Sequence, residues 1–360
     1  LDAAEEEGTL PAGSAGTPLT PPPGTDPLVE GLKKLDVSMK LLATTGHLSQ
    51  KTQLGLLKNY VVSVPVHRLR GVWTKPALAK DFDNTARRVL ERILEVQLTD
   101  DQWEQATLPL KNGGLGLASA EGRAAPAFLG SWATAASDVA KALGTSTAKH
   151  FRAVAAEAVL ECEKARKHLA ARGAQRSSQT WEDWLDAPVK GVQRALRQAD
   201  TAKCHEQLLA SLPQEDACDV RSAGGPGQTW VTAQDELAPA IADKAWATAV
   251  RRRLRVQWPG GRSSDGRCRH IRADGRLCGA ELDAKGVHAL TCSCGGGPDQ
   301  RHNRIRDELA KWLGEQGHES IDTEVWVPEW GCVAEDGTWD EARLDVSFRF
   351  EDLQLYVDVV

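Results

Sequence analysis

Cysteine and histidine are concentrated in one short stretch of this chain. Four of its eight cysteines fall between residues 268 and 294, and His288 lies among them. The spacing Cys268-x9-Cys278-x9-His288-x3-Cys292 offers two pairs of sulfur or nitrogen ligands, which is what a tetrahedral zinc ion requires. A fold of about 30 residues with almost no aromatic core also needs such a cross-link. The stretch therefore predicts one structural Zn²⁺.

Turn-forming residues support this zinc site, and one further cysteine competes for it. Asp274-Gly275 supplies a turn between the first two cysteines, and Gly286 precedes the histidine. The first spacing is longer than the usual two to four residues between paired ligands. The sequence therefore leaves open whether Cys268 or Cys294 completes the set.

The remaining cysteines predict ordinary thiols in an intracellular protein. They are scattered along the chain: Cys162, Cys204, Cys218 and Cys332. No run of about 18 apolar residues is present that could span a bilayer. The first residues, 1–7, are acidic and lack the basic and apolar stretches of a signal peptide. We therefore expect no membrane contact.

The last residues read as two strands joined by a turn. Polar and apolar side chains alternate from 343 to 350, and a second alternating run follows the Glu351-Asp352 turn. Such a hairpin presents Asp345 and Asp358 on neighbouring strands. A pair of carboxylates binds Mg²⁺, which can activate water against a phosphodiester. The hairpin predicts a magnesium site with these two catalytic residues, and the alternative is an ordinary surface hairpin.

Charge is unevenly distributed although the formal net charge is -6. Ten basic residues lie between 244 and 276, and thirteen acidic residues lie between 315 and 360. A basic stretch beside an acidic one is typical of a protein that contacts phosphates and collects cations. The basic run on a helix predicted near 238–256 is therefore expected to bind nucleic acid through Arg251, Arg252, Arg253 and Arg255.

The sequence predicts a multidomain α+β protein with six segments. These are a disordered Pro/Gly-rich segment (1–27), a helical domain (28–171), a helical spacer with linkers (172–229), a basic helical segment (230–260), the zinc segment (261–300) and the start of an α/β domain (301–360). A helix over 302–316 is expected to bury Ile305, Leu309, Trp312 and Leu313. The first residue is not Met and the last strand has no tail, so we expect a fragment of a longer protein.

Four stretches between residues 48 and 132 resemble the region that follows the polymerase palm in non-LTR retrotransposon reverse transcriptases. They read LSQKTQLGLLKNYVVSVPVHRL, FDNTARRVLERIL, LTDDQWEQATLPLKNGGLGLASA and AAPAFLGSWA. The resemblance implies that 28–171 behaves as a thumb-like helical domain. The palm with its paired metal-binding aspartates is not in this sequence, so no polymerase activity is expected.

The second half resembles another part of the same retrotransposon proteins. GVHALTC (286–292) followed by RHN (301–303) is similar to the zinc knuckle and adjoining helix that precede their restriction-like endonuclease. The resemblance implies knuckle ligands at Cys278, His288 and Cys292, with Cys268 as the first ligand. Arg301 and His302 either contact phosphate or cap the helix, and Glu308 is a further candidate metal ligand.

The final hairpin resembles a truncated PD-(D/E)xK nuclease core. Asp345 and Asp358 fit the spacing of the two acidic positions, while Leu344 stands at the proline position and Val360 at the lysine position. In the retrotransposon version the basic residue comes from the next helix. The resemblance thus implies a restriction-endonuclease-like α/β core that uses Mg²⁺.

Two functional hypotheses follow. In the first, the chain belongs to a protein of the nucleus that binds DNA and RNA and nicks target DNA to prime reverse transcription, with this fragment weakly active or inactive. In the second, it is a non-catalytic nucleic-acid-binding remnant of a degenerate element. A basic residue after Asp358 distinguishes the two, and no feature of the sequence indicates an oligomeric state.

Overall fold

The computed structural model describes most of the chain and divides it into two units. The described residues are Val37, 48–63, 65–145, 147–174, 180–232, 242–257, 266–272, 274–294, 296–333, 339–340 and 342–359. The units are Leu1–Val256 and Gln257–Val360. The segment 1–27, for which the sequence predicts disorder, lies outside the described residues.

The first unit is helical in its described part. Its helices are α1 (Gln50–Leu56), α2 (Val66–Gly71), α3 (Pro76–Leu94), α4 (Asp100–Thr107), α5 (Ala120–Ala142), α6 (Ala148–Val154), α7 (Ala156–Ala171), α8 (Asp183–Asp186), α9 (Val192–Ser211), α10 (Gln214–Ser222) and α11 (Asp243–Arg253). A π-helical turn, Leu57–Val61, continues α1, and 3₁₀ segments occupy Leu110–Asn112 and Pro226–Val231.

Local sequence explains where the central helices begin. α3 starts at Pro76, whose fixed φ and missing N–H suit the first turn of a helix. α4 starts with a capping box, in which Thr99 and Gln102 each accept a hydrogen bond from the other's backbone N–H. The first core then forms where α1, α3, α5 and α11 bury their apolar faces, with Phe82 and Trp246 among its largest residues.

The glycine-rich sequence after α4 forms the loop that it predicts. Gly113 has φ +81°, and a Cβ there would lie 2.3 Å from the carbonyl oxygen of Val220. A Cβ on Gly114 would lie 2.0 Å from the carbonyl oxygen of Leu108. A side chain is sterically excluded at both positions, because the loop packs directly against the backbone of Val220 and of Leu108.

A second core lies on the other side of α5. It contains a series of aromatic contacts, with ring centroids 6.4 Å apart for Phe128 and Trp132, 6.3 Å for Trp132 and Phe151, and 6.0 Å for Phe151 and Trp181. Helices α7, α8 and α9 supply the apolar residues around it. α5 therefore serves as the central helix that both cores share.

The second unit contains the Cys/His stretch and a small sheet. Its elements are α12 (Val287–Thr291), α13 (Gly297–Glu315), β1 (Glu319–Trp326), β2 (Cys332–Val333), β3 (Trp339–Asp340), β4 (Arg343–Phe350) and β5 (Leu353–Val357). β1, β4 and β5 form an antiparallel sheet in the order β1-β4-β5, and β2 pairs with β3. α13 packs on β1 and β4 through Leu313, Val346 and Phe348.

The two arms of the predicted hairpin, β4 and β5, pair as expected around the Glu351-Asp352 turn. α13 also forms where the sequence predicts a helix, but its buried face is narrower. Leu313 is buried and Leu309 packs against the core, whereas Ile305 and Trp312 are 56% and 52% exposed. The prediction that these last two are buried is wrong, because the three-stranded sheet covers only one side of the helix.

These observations confirm the fold class at a coarse level: a mixed chain, mostly helical, with a small antiparallel sheet. No described helix combines the length and the apolar character that a membrane span requires. Residues 175–179 of the predicted spacer with linkers and residues 258–265, which include Pro259-Gly260-Gly261, lie outside the described part.

Candidate metal and nucleic-acid sites

Short-range contacts bring the Cys/His residues of the second unit together. Two antiparallel bridges, Arg267 with Glu281 and Ile271 with Leu277, fold the segment back on itself around the Asp274-Gly275 turn. This apposition places Cys268 next to Cys278, since the N–H of Cys278 donates to His270 and that of Gly279 to Cys268.

Asp283 fixes the second pair of ligands. Its carboxylate accepts hydrogen bonds from the backbone N–H groups of Lys285, Val287 and His288, at 2.9, 2.9 and 2.7 Å. These contacts cap the first turn of α12, which contains His288. Cys292 follows directly after the end of this helix.

Four ligand atoms converge in this segment. Those of Cys268, Cys278, His288 and Cys292 all lie within 4.8 Å of one another. The two cysteine Sγ atoms of Cys268 and Cys292 are 3.7 Å apart, and Cys278 Sγ is 3.4 Å from His288 Nε2. A tetrahedron of ligands about 2.3 Å from a zinc ion has edges of roughly 3.5 to 3.8 Å. The cluster can therefore hold a metal such as zinc.

The competing cysteine stays at the margin of this group. Cys294 contacts the thiols of Cys278 and Cys292 but is not one of the four mutually close ligands. The N–H of Ala280 donates to Cys278 and lowers the pKa of that thiol to about 6, whereas burial raises the pKa of Cys268 and of Cys292. One thiolate is thus present at neutral pH, and a bound cation would displace the other protons.

Acidic side chains from β1 and β4, together with Asp358 directly after the end of β5, form a second group. Val346 pairs with Val357, so the next residues along this register, Asp345 and Asp358, face each other across β4 and β5. On the other side of β4, Thr323 pairs with Val346 and Val325 with Leu344, which sets Glu324 opposite Asp345. We call Glu324, Asp345 and Asp358 the carboxylate row.

His302 of α13 completes this site. Its Nε2 lies 2.6 Å from Oδ1 of Asp345, and the backbone N–H of Val359 donates to Oδ2 of the same carboxylate at 2.5 Å. The Asp345 side chain is 8% exposed. The ligand atoms of His302, Glu324 and Asp345 lie within 4.8 Å of one another, which makes them a candidate cation site.

The pKa values of the two aspartates of the row are shifted in opposite directions. Burial alone would raise the pKa of Asp345, but the Val359 N–H, the Asp358 carboxyl and the His302 imidazole hold it below its ordinary value. The contact with Asp345 raises the pKa of Asp358 instead, with a further contribution from burial. This pairing is the response of two like charges held side by side without a cation between them.

Glu324 and Arg306 are site residues that the sequence analysis missed. Arg306 of α13 contacts Glu324 and is 2.7 Å from Asp307, so a positively charged guanidinium lies beside the carboxylate row. The sequence gives little indication of either residue, because Glu324 joins the site only through the pairing of β1 with β4, and Arg306 only through its contact with Glu324. The predicted alternative ligand, Glu308, is exposed on α13 and is not part of the group.

The four arginines of α11 and its C-terminal end do not form one basic surface. Arg253 is buried and donates to the carbonyl oxygens of Gly114, Ala223 and Leu110 at 3.1, 2.6 and 2.9 Å. This corrects its expected phosphate contact: the guanidinium is engaged by backbone and shielded from solvent.

The same correction applies to Arg255. Its side chain is 6% exposed, and it bonds to Gln105 and lies 3.5 Å from Asp216. Arg251 donates to the carbonyl oxygen of Leu94 at 2.6 Å, while Arg252 is exposed. Helix α11 packs on the first core, and its consecutive arginines therefore fall on different faces: Arg253 is buried and Arg252 is exposed.

The RHN segment lies at the start of α13. Arg301 is exposed and donates to the carbonyl oxygen of Leu290, which ties α13 to α12. His302 turns to Asp345, as described above. The structure therefore gives the two residues separate roles, one holding the zinc segment to the helix and one in the carboxylate site.

The chain matches no protein-family model, and no curated protein resembles it closely enough to count as a relative.

Proposed function

We propose that this chain is the C-terminal region of a retrotransposon-type protein that binds nucleic acid and cleaves a phosphodiester with a divalent cation. The carboxylate row carries the proposal: strand register brings Glu324 of β1 and Asp358, directly after β5, to either side of Asp345 in β4, and His302 contacts Asp345. A protein that opens target DNA for reverse transcription would work in the nucleus.

The chain's own residues divide the work at this site. Asp345 is held rigidly by His302 and by the Val359 N–H, so it serves as the fixed ligand. Asp358, whose pKa is raised, loses its proton when a cation arrives between the two carboxylates. A bound Mg²⁺ would supply Lewis acidity to the scissile phosphate and lower the pKa of a water nucleophile.

We assign a structural role to zinc in the Cys/His cluster. All four ligands come from the protein, and a closed tetrahedral site has no position for substrate. Its proposed task is to fold residues 266–292 and to hold them, through Arg301, against the helix that carries His302.

A non-catalytic nucleic-acid-binding protein is the second candidate. One observation favours it: Arg306, the cation recorded next to the carboxylate row in the described part of the chain, is already paired with Glu324 and Asp307. Cleavage needs a positive group for the charge that develops on the phosphate. If Arg306 does not leave its partners, the row binds cations without cutting.

A nicking assay tests the proposed function. Supercoiled DNA is incubated with the full chain in Mg²⁺ or Mn²⁺, beside Asp345→Ala, Asp358→Ala and the exposed turn variant Asp352→Ala. We expect slow nicking that both site variants reduce by about 100-fold or more and that Asp352→Ala leaves unchanged. Nicking that persists in Asp358→Ala would overturn the assignment, and cation binding without nicking would favour the second candidate.

A further inference from the structure

Two adjoining recesses open on the first unit, away from the carboxylate row and the Cys/His cluster. The larger has a volume of about 790 Å³ and lies between the turn after α4 and helix α9. The smaller, about 240 Å³, runs under the glycine loop to the start of α5. Pro109, Arg197 and Thr201 line both recesses, so the two adjoin each other, and we call them together the α9 cavity.

The charged residues of the α9 cavity are almost all basic. Its walls carry these cations: Lys58, Lys111, Arg123, Arg172, Arg194 and Arg197. Asp200 is the acidic residue among its lining, and it is already bound by Arg172, whose Nε lies 2.7 Å from Oδ1 and whose Nη2 lies 3.2 Å from Oδ2. Within the described part of the chain, no acidic side chain forms an ion pair with Lys58, Lys111, Arg194 or Arg197.

Arg123 provides a second, independent observation. Its Nη2 donates to the carbonyl oxygen of Ala118, but its Nε is buried and has no hydrogen-bond partner within the described residues, although a buried donor normally has one. Burial, followed by the nearby charge of Arg197, lowers the pKa of this guanidinium to about 10, although the Asp83 carboxylate acts in the opposite direction. A buried donor beside a second cation is costly unless an anion joins them.

Backbone amides do not fill this role for an anion. The first N–H groups of α5 are already taken, because Asp83 accepts those of Ala120 and Glu121 and the Ser119 hydroxyl accepts that of Gly122. Recognition therefore rests on side chains. The glycine loop contributes space, since a Cβ on Gly116 would lie 2.9 Å from Lys58 Nζ.

We propose that the α9 cavity is a phosphate-binding site that takes phosphate esters through Arg123, Arg197, Arg194 and Lys111. Arginine forks and lysine ammonium groups match phosphate oxygens in charge and geometry, and the volume is that of a site for a nucleotide-sized ligand. The phosphate can belong to a nucleic-acid strand or to a free nucleotide. The site does not depend on the proposed cleavage, because it lies in the other unit.

Binding measurements with two probes test this inference. Full chain is titrated calorimetrically with pyrophosphate, and by fluorescence anisotropy with a single-stranded RNA of about 12 nucleotides. The test variant is Arg194→Gln/Arg197→Gln, in which both altered residues are exposed. The matched control is Lys80→Gln/Lys149→Gln, which removes the same charge from exposed positions elsewhere in the first unit.

We expect the test variant to weaken pyrophosphate binding about tenfold or more and the control to change it less than twofold. If RNA affinity falls in parallel, with a shallower salt dependence, the natural ligand is a strand. If RNA affinity is unchanged, the natural ligand is a free phosphate ester. Equal affinities of the test variant, the control and the wild type for pyrophosphate would overturn the site. Because exposed residues are altered, circular dichroism should show an unchanged fold.

Discussion

Arg253 joins three segments of the first unit through its guanidinium group. Its donors reach the carbonyl oxygens of Gly114 and Leu110 in the loop region after α4 and of Ala223 after α10. A buried carbonyl that loses its partner costs about 1 to 3 kcal/mol. The residue that looked like a phosphate ligand is therefore a structural connection.

We predict that Arg253→Met lowers the free energy of unfolding by about 3 kcal/mol or more, because three carbonyl groups lose their donor at once. Urea denaturation of the variant measures this change. The control is Lys244→Met at an exposed position of the same helix, which should change stability by less than about 0.5 kcal/mol. Equal effects of the two substitutions would contradict the role of Arg253.

The raised pKa of Asp358 gives a second prediction at this scale. A carboxyl whose folded pKa lies above its unfolded value contributes stability at low pH and loses it as pH rises through the folded pKa. At neutral pH without a cation, Asp358→Asn should therefore raise the melting temperature, since the amide can donate to Asp345 without needing a proton. The same variant should lose the stabilisation that Mg²⁺ gives to the wild type.

Thermal melts at pH 7 in buffer with and without Mg²⁺ check both outcomes. Asp352→Asn, in the exposed turn of the same hairpin, is the matched control and should behave as the wild type. A variant at position 358 that responds to Mg²⁺ as the wild type does would show that the cation is held elsewhere.

At the scale of elements, the hairpin was predictable and its third strand was not. Alternation is a local property, so β4, the turn and β5 can be read from the sequence. Glu324 joins the row only because β1 pairs with β4, and His302 only because α13 packs on that sheet. The sequence of β1 contains no local pattern that would indicate β4 as its partner strand.

Helix α11 illustrates the opposite error. Four arginines close together on a helix predict a basic surface, but α11 also carries Trp246 and Val250, which are fully buried in the first core. A helix packed on this core turns some of its arginines inward, where they bond to carbonyl and carboxylate groups. The basic surface of the first unit lies at α9, which the charge count of the sequence did not single out.

The Cys/His segment supports a prediction of metal content. We expect about one zinc per chain by elemental analysis, lost in Cys278→Ser and retained in Cys332→Ser, whose thiol is exposed on β2. Cys294→Ser should also retain the metal, because the four mutually close ligands do not include it. Less than half an equivalent of zinc in the wild type would contradict the site.

At the scale of the whole molecule, each unit has its own buried core. The first unit buries two clusters between Leu54 and Leu254, and the second buries a smaller one around Leu313. The described Cys/His segment contributes little apolar burial beyond its own cysteines, so metal binding would supply roughly 10 kcal/mol of its apparent folding free energy.

Removal of the metal should therefore affect the two units differently. We predict that a zinc chelator abolishes amide protection across 266–292 and leaves α3, α4 and α5 protected. Hydrogen–deuterium exchange followed by mass spectrometry measures this, with re-addition of zinc as the control for reversibility. Parallel loss of protection in α3 and α5 would mean that the units unfold together.

The register of β4 and β5 also bears on how this sequence can change over generations. Exposed positions of the hairpin, such as Arg349 and Gln354, are expected to tolerate substitution. A gain or loss of a single residue at the Glu351-Asp352 turn is different, because strand faces alternate and Asp358 would swing to the opposite side. We therefore expect evolution at this hairpin to conserve the number of residues between Asp345 and Asp358 more strictly than the identity of the exposed residues.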